Sequence, residues 1–122
     1  MISIKLMLGA AALTLVFGAG AQPVPLSYQA SPDVYKLLAE DANFRVILAT
    51  WPAGQKDLQH SHSATAAYRL TDCTARIFGP DGKVLGEGFG KAGTVVLQAA
   101  IGSHALENIG TGECRILLVE RK

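Results

Sequence analysis

An all-β fold in one domain, a sandwich or a barrel, follows from three observations on the sequence. From Phe44 onward the β-formers come in short runs, at residues 45–51, 64–71, 74–78, 94–98, 105–109 and 115–120. Turn signals bound these runs: Pro52-Ala53-Gly54, Gly79-Pro80-Asp81-Gly82, Gly90 with Gly93, and Gly110-Thr111-Gly112. No helical periodicity of 3.6 residues persists after Asn43, and six or more short strands at this spacing suit a sandwich or barrel. Asp81-Gly82 reads as a hairpin turn.

The segment before Phe44 is less uniform. Residues 22–30 contain Pro23 and Pro25 and read as an extended arm. Ser31-Pro32-Asp33 suits a helix start, with serine as cap and proline in the first turn. Tyr35 to Leu38 equally suits a strand that turns at Asp41-Ala42-Asn43 into the next one, and the residues alone leave both open. Residues 22–43 therefore form an arm and lead-in segment, and residues 44–122 the β-domain.

Composition sets the outer limits. The 122 residues, 49% apolar and 17% charged, with 13 glycines and 5 prolines, suit one turn-rich domain with one core. The formal charge is +1, from 11 basic and 10 acidic residues, with no Lys or Arg run. A polyanion partner is not expected: neither nucleic acid nor an anionic membrane has an electrostatic footprint here.

The N-terminus has the build of an export signal. Residues 1–5 carry one positive charge, residues 6–18 are almost unbroken apolar sequence, and Ala19-Gly20-Ala21 has the Ala-x-Ala cleavage pattern. The apolar run falls short of the roughly 20 residues that span a bilayer. Residues 1–21 are thus expected to be a signal peptide, and the mature chain, from Gln22, to be a periplasmic or secreted protein without a membrane anchor. In an oxidising compartment Cys73 and Cys114 can form a disulfide. The rival reading is two separately buried thiols.

Three histidines are the candidate site: His60, His62 and His104. Residues two apart in a strand point to one face, so His60 and His62 form a bidentate clamp if that face is inward. A site with histidine ligands must use all three. Tyr68 shares strand parity with His62, which makes it the candidate catalytic acid or orienting donor. Its rival reading is an ordinary core aromatic. Trp51, before Pro52, reads as a packing residue at the end of the domain. Asn108 reads as a turn or strand anchor, and Glu107 as a surface residue.

Here the sequence resembles the small single-domain cupins, of the cupin type-2 kind. Gly54-Gln55-Lys56-Asp57-Leu58-Gln59-His60-Ser61-His62 has the spacing of the first cupin motif, and Gly93, His104 and Asn108 keep that of the second. The likeness covers residues 33–122. It implies a jelly-roll β-barrel with His60, His62 and His104 as ligands of one divalent metal ion, and homodimerisation through sheets. This sequence departs from the pattern at Ala66, where the first motif usually has a glutamate ligand. Its closing glycine falls at Cys73, and the proline and inner glycine of the second motif fall at Ala99 and Ile101.

Without that glutamate, three neutral imidazoles leave a divalent ion near a local charge of +2, with a position open for water or an anionic ligand. Imidazole accepts Zn, Fe, Ni and Cu, and the ligand type does not choose among these and Mn. The expected function is an exported protein that holds one divalent metal and binds or transforms a small polar molecule in the barrel. The alternative is a non-catalytic binding or structural barrel with an inert, metal-free pocket. The residues do not choose between enzyme and binding module.

Overall fold

The computed structural model describes Leu15, Gly18, Gly20 and residues 22–122. The expected signal peptide, those three positions apart, lies outside the described residues. None of the described helices is long and apolar enough to cross a membrane.

Among the described residues, nine strands and one short helix follow in order: α1 Ser27–Ala30, β1 Tyr35–Glu40, β2 Phe44–Trp51, β3 His60–His62, β4 Thr65–Arg69, β5 Cys73–Phe78, β6 Val84–Gly90, β7 Val95–Gln98, β8 Ile101–Asn108 and β9 Cys114–Arg121. They form a five-stranded sheet, β1-β2-β9-β4-β7, and a four-stranded sheet, β3-β8-β5-β6. All strand pairs are antiparallel. The order of strands is that of a jelly roll, yet the sheets are two separate ladders. The closed barrel expected from the sequence is a sandwich, because β6 and β7 each pair on one side only.

The lead-in segment resolves in favour of the strand. Ser31 opens no helix: its carbonyl accepts the Val34 and Tyr35 amides in a turn, and its hydroxyl accepts the Leu58 amide at 2.9 Å. The helical turn lies upstream, inside the stretch read as an extended arm. β1 is an edge strand of the larger sheet, paired with β2. Asp41 makes the β1–β2 turn by accepting the Asn43 and Phe44 amides at 2.7 and 2.8 Å. The arm also caps the smaller sheet at its edge, where the Ser61 amide donates to the Pro25 carbonyl at 2.8 Å.

Strand alternation builds the core between the sheets. Ile47, Ala49 and Trp51 of β2, Ala67 of β4 and Leu118 of β9 point inward and are buried, together with Val34 and Tyr35. Cys73 and Cys114, also in this core, are joined in a disulfide across 41 positions of sequence, with Cα atoms 5.0 Å apart. It ties the start of β5, in one sheet, to the start of β9, in the other.

Candidate metal centre

The three histidines meet between the sheets. His60 and His104 are cross-strand partners on β3 and β8, and an irregularity in the ladder shifts His62 to pair with Ile101. That shift lets all three rings turn to one point. Ring centroids lie 4.7 Å apart for His60 and His62, 4.6 Å for His60 and His104, and 5.2 Å for His62 and His104. One ring nitrogen from each falls within 4.8 Å of the other two.

The surrounding groups decide which nitrogens carry protons. Nδ1 of His60 lies 2.7 Å from the Leu58 carbonyl oxygen, and Nδ1 of His62 lies 2.5 Å from Glu120 Oε1. Both partners only accept, so both Nδ1 atoms donate and both Nε2 atoms keep a lone pair. These Nε2 atoms are 2.9 Å apart. Among the described residues the only hydroxyl in reach, Tyr35 Oη at 3.1 Å from His60 Nε2, donates its hydrogen bond to Asp57 Oδ2 at 2.7 Å. Nε2 of His104 is buried and has no partner at all. Lone pairs on facing nitrogens repel unless a cation sits among them, so the donor set fits a metal ion.

Sequence reasoning missed the groups that hold the rings. Asp57 is buried beneath the cluster and accepts three hydrogen bonds, from Tyr35 Oη, from Trp51 Nε1 at 3.1 Å and from the Leu106 amide at 2.7 Å. Trp51 is therefore a hydrogen-bond donor at the site as well as a packing residue. Glu120, fully buried, reaches His62 from the other sheet, and its second oxygen has no partner. A carboxylate on the outer nitrogen of a ligating imidazole fixes the tautomer and raises ligand basicity. The signal available in the sequence was parity: Glu120 shares a face of β9 with Leu118, Ile116 and Cys114. An ionisable residue on a core face needs a partner.

Burial and neighbouring charge shape the titration. Burial, then the Asp57 charge, raises the Tyr35 phenol well above its ordinary value, so it stays protonated. Burial lowers His60, against the raising effects of the Leu58 carbonyl and Asp57. Burial, then His60 and His62, brings His104 down to about 3. Imidazoles held neutral are ready to ligate.

Tyr68 is not at the site. It is 43% exposed and stands on the outer face of β4, between inward-facing Ala67 and Arg69. Ser63 and Ala64 carry the chain from one sheet to the other, and the corner breaks the alternation counted from His62. Tyr35, on β1 at the edge of the same sheet, is the tyrosine whose hydroxyl reaches the histidines. Asn108 anchors its turn as expected, donating to the Trp51 and Gly112 carbonyls at 3.0 and 2.8 Å and accepting the Gly110 amide. Glu107 pairs with Arg76 at 3.3 Å on the outer face. A cavity of about 440 Å³ opens beside the histidines, with His62 and His104 in its wall.

No protein-family model matches this chain, and no curated relative does. Solved structures do. A cupin domain from Bordetella pertussis Tohama I is 16% identical, covers 84% of this chain and 99% of its own, and superposes with a TM-score of 0.65. An RmlC-like cupin family protein with a double-stranded β-helix fold, from Methanocaldococcus jannaschii, is 14% identical over 72% of this chain and 78% of its own, with a TM-score of 0.58. A cupin superfamily protein from Desulfitobacterium hafniense DCB-2 is 17% identical over 72% and 75%, with a TM-score of 0.53. At such identities the likeness speaks for architecture, and the architecture is the cupin fold.

Proposed function

We propose that this chain is an exported protein that holds one divalent metal ion on His60, His62 and His104 and binds or transforms a small molecule in the adjoining cavity. The observation that carries the reading is the convergence of one ring nitrogen from each of three buried or half-buried histidines within 4.8 Å of one another. Both Nδ1 atoms of the His-x-His pair are committed as donors, and Nε2 of His104 is buried and bare. Export is supported by the build of residues 1–21 and by the disulfide, which suits an oxidising compartment.

A bound divalent ion supplies a Lewis-acidic centre with room for a further ligand. The protein's own part is positional. Leu58 and Glu120 orient the two rings of β3, and Asp57 holds Tyr35 and Trp51 around them. Tyr35 keeps its phenolic proton and donates it in a hydrogen bond to Asp57.

Metal analysis of the protein purified from its exported compartment tests the reading. About one equivalent of zinc or a first-row transition metal is expected, and it should be lost in His60→Ala/His62→Ala. Glu120→Gln should retain the metal with affinity lowered about 10- to 100-fold. Equal, sub-stoichiometric metal in the parent and the double variant would remove the metal reading.

A further inference from the structure

The cavity is polar at its ends and bare along one wall. On β6, Gly86, Gly88 and Gly90 lie opposite Ile77, Ala75 and Cys73 of β5; Gly88 and Gly90 line the cavity, and the strand is exposed up to Gly90, so this wall opens to solvent. A Cβ added at Gly86 or Gly88 would meet nothing within 4 Å. Neither position has the left-handed backbone that requires glycine, since among the described residues only Gly54, Gly82 and Gly93 have positive φ. At Gly88, which lines the cavity, the missing side chain leaves that space open, whereas Gly86 lies beside the irregularity in the β5–β6 ladder. Glycine within a strand marks a place where a ligand or another backbone comes close.

At the far end of this wall stands Arg69. Its guanidinium lies directly on Gly90, where a Cβ would come within 1.9 Å of Nε. It donates to Thr94 Oγ1 at 3.0 Å and also lines the cavity. The acidic side chains that form ion pairs among the described residues pair with other cations, none with Arg69. Thr65 lies opposite Glu120, the partner of His62, and Arg69 lies four residues further along β4. The charged end and the histidine end are thus about 13 Å apart along the strand. Between them the walls are Ala67, Ala75, Val96, Ile116 and Leu118, and Leu85 and Phe89 extend the apolar surface to the exterior.

We propose that this interior is a slot for a flat, apolar-bodied carboxylate, its charged end held by Arg69 and its body lying along the glycine face of β6 toward the histidines. The planar guanidinium fork matches a carboxylate, and a strand without side chains offers peptide planes to a ring. The proposal rests on the metal reading only for what the distal end of the ligand meets.

Calorimetric titration of the zinc-loaded protein with 2-naphthoate and with neutral 2-naphthamide tests it. The acid should bind at least tenfold tighter than the amide, and Arg69→Gln should abolish that preference. Gly88→Val should weaken both ligands at least tenfold, and zinc content should be unchanged in both variants. Equal binding of acid and amide, or a preference for the acid that survives Arg69→Gln, overturns the slot. So does a folded Gly88→Val protein that binds like the parent; if that variant does not fold, Arg69→Gln decides alone. Zinc retained with no preference for the acid sinks the slot and leaves the metal reading. An Arg69-dependent preference in protein that holds no zinc sinks the metal reading and leaves the slot.

Discussion

The two ends of the interior are built on opposite principles. At the histidine end, Asp57, Tyr35, Trp51, His60, His62 and Glu120 form a buried network in which nearly every polar group has a partner, the exceptions being Nε2 of His104 and Oε2 of Glu120. At the other end, glycines and alanines leave space under one half-buried arginine. A network of buried hydrogen bonds in low dielectric fixes its members in place. A wall of bare backbone fixes only a shape. The first end determines where a ligand's reacting group is held, and the second how large and flat the rest of it can be.

That contrast can be broken at its strongest point. Asp57→Ala removes the acceptor of three hydrogen-bond donors, of which the Tyr35 hydroxyl alone keeps another acceptor nearby, His60 Nε2; each donor left unpaired costs about 1–3 kcal/mol. The unfolding free energy from urea titration should fall by at least about 2 kcal/mol, a larger loss than any single change at the glycine wall. A loss below about 1 kcal/mol would mean that the network does not hold this end together.

The disulfide joins the two sheets within the buried core, beside Trp51 on β2. Cys73→Ala/Cys114→Ala should cost about 2–4 kcal/mol in the same assay, since the bond closes a long loop in the unfolded chain. The native protein should also resist thiol labelling until reduced. Immediate labelling would show two free thiols instead.

Of the two ends of the interior, acid should act on the histidine end. His104 folded titrates at about 3, but unfolded near 6.5. Between those values the unfolded chain binds the proton and the folded chain does not. Metal-free protein therefore loses stability as the pH falls from about 6.5 to about 3, by at most about 1.4 kcal/mol per pH unit from this residue. Solvent reaching the ring lowers that ceiling. The melting temperature of His104→Gln should decline less steeply over this window than that of the parent. Parallel declines would mean that the ring is not held neutral by the fold.

The smallest effect is expected outside the interior altogether. Tyr68→Phe should change stability by less than about 0.5 kcal/mol and leave metal content intact, because the side chain stands on the outer face. A loss of metal or of ligand binding in this variant would place Tyr68 in the site after all.

How much of this was legible beforehand depends on the range of the signal. The strands from β2 onward announce themselves by local composition and by the turns between them. β3 and β6 do not: β3 is only three residues long, and Leu85-Gly86-Glu87-Gly88-Phe89-Gly90 is half glycine, while Gly90 with Gly93 reads as a turn. The same glycines become interpretable once the pairing with β5 shows which way they face. Tyr68 was misread for a related reason: parity holds within a strand and lapses at a corner between sheets.

The sequence by itself determined the strand class, the turns and the equipment of the site, since periodicity, turn chemistry and residue type are local properties. His60-x-His62, the third histidine and the cysteine pair could be identified without coordinates. Only the tertiary structure decided that Glu120 would brace His62 from 58 positions away and that Asp57 would gather Tyr35, Trp51 and Leu106. It also decided that the sheets would remain a sandwich with an open glycine wall. Those relations depend on how two sheets pack face to face, and packing couples residues whose separation along the chain carries no trace of their contact.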